Sequence, residues 1–258
     1  MVTRDSADGH DRPSRGRRRG RRWLWRAFAG LVAALVAAVV GVLVAFPVAA
    51  AAACPGCYGL RGAGSDVYVD GSATAQQRRH LVDMVAAARQ RVRAFLGETR
   101  SSPRVLVCLS ADCYGDIGGG GEKGQTLRDY ALALSPEGAN VVIASHELTH
   151  AELYHRLGSR YERLPRWFNE GLAVLISEDP RYLTGEPAGE RCPVDYAEAL
   201  AATRAATTPA PHAGQDFYRN GACVVDRWVA TNGGAGAVHD LVRRLRAGEA
   251  FTDIVVTP

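Results

Sequence analysis

The chain has 258 residues, 47% of them hydrophobic and 22% charged, a composition that fits one main globular domain and excludes a disordered or fibrous chain. The formal net charge of +4 is unevenly spread: residues 1–26 hold nine Arg against three Asp, which leaves 22 basic and 24 acidic residues in the remainder. A nearly neutral domain without a basic stripe lacks the charge that displaces counterions from a phosphate backbone, so nucleic acid is excluded as a partner.

Residues 1–26 read as a basic cytoplasmic tail. From Ala27 to Ala53 no residue is charged and Val, Leu and Ala dominate, directly after GRRRGRRWLWR. Such a run is long enough to span a bilayer as a tilted helix. The arginines ahead of it keep the N-terminus in the cytoplasm, and Trp23 and Trp25 suit the interface, so everything from about residue 54 faces outward. The expectation is a single-pass protein of the cytoplasmic membrane with its domain on the periplasmic or extracellular side. A cleaved export signal is the alternative, because AAAAAC fits a cleavage site, and the segment loosely resembles a lipoprotein signal ending at Cys54. The uncleaved anchor is preferred because the apolar run exceeds the usual core of a signal peptide.

Six cysteines then fall in a segment expected in an oxidising compartment, where disulfides persist. Six allow about 15 pairings, and sequence alone does not choose among them. Local spacing favours Cys54 with Cys57, Cys108 with Cys113, and Cys192 with Cys223.

Residues 54–65 read as a glycine-containing linker, and 66–258 as the folded domain. DVYVD alternates as a short strand. Thr74 and Gln77 form a capping box, after which Leu81, Met84, Val85, Ala88, Val92, Phe95 and Leu96 recur at helical spacing until Gly97. Pro103 opens an apolar strand, RVLVCL. The stretch GDIGGGGEKG reads as a mobile loop, either a flap or plain surface, and contains Lys123, the only lysine of the chain. DYALALS alternates as another strand. Asn140 caps a helix running through HELTH to Gly158, and a further helix starts near Pro165 and carries RWFNEGLAVLI to the Asp179-Pro180 break. Three more helices follow in DYAEALAATRAA, DFYRNGACVVDRWVA and GAVHDLVRRLRA. Strands early and helices late argue an α+β fold rather than alternating βαβ units.

His146 and His150 are four residues apart, so they stand about 40° apart on one helical face and can aim two imidazole nitrogens at a common point. Glu147 between them leans toward the open side of such a metal, where it can take a proton from water. A catalytic zinc needs three protein ligands, and Glu170 is available after one turn and the start of the next helix. Its neighbours Trp167, Phe168, Leu172 and Val174 suggest a packed helix, which would bury the carboxylate and require a partner for it. His80, His155, His212 and His239 lack ligand spacing and read as surface or loop residues. Glu178 and Asp179 read as helix-end residues, solvated or touching substrate.

HELTH followed by WFNEGLA is similar to the gluzincin metallopeptidases, zincins that use two histidines and a glutamate, and most closely to their small bacterial, often membrane-tethered branch. The likeness covers mainly residues 140–180 and extends more loosely to CYG, VYVD, RVLVCL and the segment from Tyr218 to Trp228. It implies a zincin-like domain, a Zn2+ ion held by His146, His150 and Glu170, Glu147 as general base, and a peptide or protein substrate. In related gluzincins a tyrosine from a later helix supplies a second donor to the oxyanion. Tyr218 stands at a plausible place for that, or is a packed tyrosine beside Cys223. DYALALS is either the edge strand that zincins place along the cleft or an ordinary core strand. The rival readings are a non-catalytic binding module of the same fold and a disulfide-stabilised structural envelope protein. Oligomeric state is not legible.

Overall fold

The computed structural model describes residues 16–184, 191–205 and 214–256, with side chains from Trp25 onward apart from positions 38 and 42–44. Residues 1–15 of the expected basic tail, and His212, lie outside the described residues. The chain divides between Phe46 and Pro47 into two units.

The first unit contains helix α1 (Gly16–Ala45), with Phe28, Leu31, Leu35 and Val39 exposed. Among the described residues no helix is long and apolar enough to cross a membrane. The apolar run expected to form one span over 27–53 is in fact divided. Pro47 has no N–H with which to continue α1, and it is well tolerated at the first position of a new helix. It opens α2 (Pro47–Ala53), in which Val48, Ala50, Ala51 and Ala52 are buried within the second unit. A 3-10 turn (Pro55–Tyr58) follows, held by a Cys54–Cys57 disulfide.

The expected linker holds a strand. β1 (Leu60–Gly64) pairs antiparallel with β2 (Val67–Asp70) through a tight hairpin in which Ser65 and Asp66 both adopt positive φ. Only Leu60 of β1 is buried, so no apolar alternation announces it. Helix α3 (Ala75–Leu96) begins at the capping box, with Thr74 Oγ1 accepting from Gln77 N and Gln77 Oε1 accepting from Thr74 N. β3 (Arg104–Val107) runs parallel to β2, so β2, α3 and β3 form one crossover unit of the kind the strand pattern argued against. Next come α4 (Ala111–Asp116), stapled by Cys108–Cys113, then β4 (Gly124–Leu127) and β5 (Ala131–Leu134). The segment expected as a mobile loop thus lends its first residues to α4 and its last, Gly124, to β4.

The five strands lie in the order β1-β2-β3-β5-β4, a mixed sheet with a parallel centre and antiparallel edges. Side chains alternate across a strand, and the two faces bury different partners. Val67, Val69, Val105, Val107, Leu132 and Leu134 meet α3 and the helices beyond it. Leu106, Cys108, Ala131 and Ala133 meet Val48, Ala51 and Ala52 of α2 with Tyr114 and Ile117. Small alanines let α2 lie close on the sheet, so a segment that reads as membrane apolarity serves as a core layer.

Helix α5 (Val141–Leu157) starts at Asn140, whose Oδ1 accepts from Ile143 N, and it is buried continuously from Ile143 to Leu153. Glu152 pins it: this wholly buried carboxylate accepts from the backbone N–H groups of Arg100 and Ser101, the Ser101 hydroxyl and Arg156 Nε. A 3-10 turn (Gly158–Arg163) leads to α6 (Arg166–Ser177), followed by α7 (Tyr196–Ala205), α8 (Gln215–Thr231), α9 (Ala235–Ala247) and α10 (Phe251–Ile254). Cys192 is bonded to Cys223 of α8. The architecture is α+β, with a small sheet and a mostly helical remainder.

Helices α6 and α8 touch backbone to backbone. A Cβ on Gly171 would lie 2.4 Å from Gly221 O, and one on Gly221 would lie 2.6 Å from Trp167 O. Gly221→Ala should therefore force the two helices apart and lower stability by about 1–3 kcal/mol. Glu152→Ala, which removes the acceptor of two backbone donors and the ionic partner of the half-buried Arg156, should lower it by about 2–4 kcal/mol. Urea unfolding of each variant beside the parent chain measures both effects.

Candidate metal centre

Because α5 is regular through residues 146–150, His146 and His150 project from one face, and their Nε2 atoms lie 3.1 Å apart. α6 brings Glu170 to them from the neighbouring element, with Oε2 3.1 Å from His146 Nε2 and 3.4 Å from His150 Nε2. A tetrahedral site with bonds of about 2.0–2.1 Å has donor–donor edges of about 3.3–3.4 Å. The triangle formed by these three atoms is of that size, and the group can hold a metal ion. The Glu170 side chain is only 14% exposed, the burial its aromatic and apolar neighbours suggest.

Hydrogen bonds and neighbouring charges orient each of these groups. Asn169 donates from Nδ2 to Tyr161 Oη (2.6 Å), so its Oδ1 offers His150 Nδ1 an acceptor at 3.2 Å. Nδ1 therefore carries a proton, and Nε2 is the nitrogen turned to the cluster. Burial alone would lower the basicity of His150, but the carboxylates of Glu170 and Glu147 outweigh it and raise the imidazole to about 9. Conversely, burial would push Glu170 up, and the two imidazoles hold it well below the usual carboxylate range. His146 Nδ1 is buried with no hydrogen-bond partner among the described residues.

Glu147 is buried beside the pair and directed to β4. Thr126 Oγ1 donates to its Oε2 at 2.6 Å, and a Cβ on Gly124 would lie only 2.8 Å from Glu147 Cγ. The bare backbone of Gly124 gives the carboxylate its room, and the threonine sets its direction. Tyr218, near the start of α8, places its ring centroid 6.3 Å from that of His146 and stacks on Tyr182 at 5.4 Å. Burial, reinforced by the charge of Glu170, pushes its phenol up to about 12, so it keeps its proton near neutral pH. All five expected site residues line one cleft of about 500 Å³.

The strand bordering this cleft is β4. DYALALS forms β5, an internal strand with all four residues buried, so the core alternative is the one found. Of the histidines without ligand spacing, His80, His155 and His239 are exposed, and His155 pairs with Asp129. The sequence reading missed Thr126, Asn169 and Tyr182. Asn169 carried a signal, as a buried amide next to Glu170 in an otherwise apolar helix, whereas Thr126 is brought to Glu147 only by the sheet. In comparisons with known proteins, no family model and no curated sequence matches the chain.

Titration of the purified chain with zinc or cobalt against a chelating dye should show one ion per chain. Glu170→Ala should abolish that binding, and Asn169→Ala should weaken it by about 10–100-fold through loss of the imidazole's orienting partner.

Proposed function

We propose that this chain is a zinc-dependent peptidase that uses His146, His150 and Glu170 as ligands and Glu147 as general base. The observation that carries the reading is the convergence of two imidazole nitrogens and one carboxylate oxygen beside a second carboxylate that is bonded elsewhere. A purely structural metal site has no use for such a group at its open side. Zinc with two neutral imidazoles and one carboxylate supplies a Lewis acid toward water and a peptide carbonyl.

The protein's own groups do the rest. Glu147 accepts the proton of the attacking water and later delivers it to the leaving amine. The Thr126 hydroxyl keeps the carboxylate turned to the cleft while it does so. Tyr218, protonated and stacked in place by Tyr182, donates a hydrogen bond to the oxygen on which negative charge develops. β4, at the sheet edge beside Glu147, offers unpaired backbone groups to an extended peptide. Three disulfides support an oxidising compartment. The arginine-flanked apolar run ahead of the domain supports the same reading, of a peptidase that works outside the cytoplasmic membrane.

Glu147→Gln should retain the metal and lower hydrolysis of a mixed peptide library by at least about 10²-fold. Equal turnover by both proteins, followed by mass spectrometry, would remove the mechanism.

A further inference from the structure

Past Glu147 the cleft continues into a second pocket of about 250 Å³, bounded by His146, Glu147, Lys123, Arg181, Tyr182 and Tyr218. Its cationic wall is built rather than incidental. Asp179, which reads from sequence as a helix-end residue, is wholly buried and clasps Arg181: the Arg181 backbone N–H and Nε donate to Oδ1 at 3.0 and 2.9 Å, and Nη2 donates to Oδ2. The guanidinium, 40% exposed, also lies 5.0 Å above the ring of Tyr182, which stacks on Tyr218. It is thereby held in one place, with Nη1 lacking a partner among the described residues.

Lys123 approaches from the other side of the pocket. Its carbonyl accepts from Ser135 N at 2.9 Å, and Gly138 packs so close that a Cβ there would meet that oxygen at 1.7 Å, so the backbone that presents this side chain is fixed. Among the described residues no carboxylate pairs with its ammonium. Two carboxylates also line the pocket, and each is turned to donors other than Lys123: Glu122 accepts from Tyr114 Oη and Gly120 N, and Glu147 accepts from Thr126.

Resting on the peptidase reading, we propose that this pocket is a carboxylate-recognising subsite, in which Arg181 and Lys123 select substrates carrying a carboxylate next to the bond to be cleaved. The carboxylate is either an acidic side chain or a free C-terminus, both of which satisfy a guanidinium and an ammonium in the same way.

The test is a binding measurement on the full-length Glu147→Gln chain loaded with zinc, using fluorescence anisotropy of labelled, acetylated hexapeptides. In one arm Glu replaces Gln at each position in turn; in the other a free C-terminus replaces the amide. One arm should bind about tenfold tighter than its neutral counterpart, and which arm does so identifies the source of the carboxylate. Adding Lys123→Gln should reduce that ratio by about threefold. Adding Asp179→Asn with Arg181→Leu, which removes the guanidinium without stranding a buried carboxylate, should abolish it. Absence of any carboxylate advantage, or its survival in the double variant with native circular dichroism, would overturn the proposal. If the preference holds but zinc-loaded wild type hydrolyses no peptide, the subsite stands and the peptidase reading falls.

Discussion

Two imidazole nitrogens and a carboxylate oxygen are held within 3.4 Å of one another by side chains that are mostly buried. The carboxylate raises His150 and the imidazoles lower Glu170, so the cluster holds a proton among its atoms, the place a metal cation would take. The fold keeps them there by stiffening both supports. α5 is capped by Asn140, pinned by Glu152 and buried through both histidines, while α6 is pressed on α8 through the contact of Gly171 with Gly221. Arrangements of this kind store a preference for a cation in the scaffold rather than in flexible side chains.

The same rigidity extends to groups that do not ligate. Asn169 sets the orientation of the His150 ring, Thr126 sets the direction of Glu147, and Tyr182 holds Tyr218 by stacking. Each of these partners comes from a different place: the ligand helix, the edge strand and the segment after α6. A cleft assembled in this way has its donors and acceptors oriented in advance of any ligand, which lowers the cost of binding one. The clasp of Asp179 on Arg181 is a further instance, one pocket along.

Helix α2 illustrates how a local pattern can serve two ends. Its alanines and valine continue an apolar run that by composition alone belongs with the preceding helix, yet they fill the face of the sheet opposite α3. Pro47 makes the division, because it ends one hydrogen-bond ladder and begins another. The sheet is therefore covered on both faces, which is what its parallel centre requires.

Features that depend on a few neighbouring residues were legible in the sequence: the capping box at Thr74 and Gln77, the helix start at Asn140, the four-residue spacing of His146 and His150, and the short-range cysteine pairs. Helical periodicity and capping are set by backbone geometry over one or two turns, so their signals are contained in the chain itself. Tertiary structure alone decided that β4 rather than β5 borders the cleft, that Thr126 meets Glu147, that Asp179 turns inward to hold Arg181, and that α2 joins the core. Those contacts join segments whose approach is governed by the packing of whole faces and by where a bare glycine backbone leaves room. No local pattern of residues encodes that information.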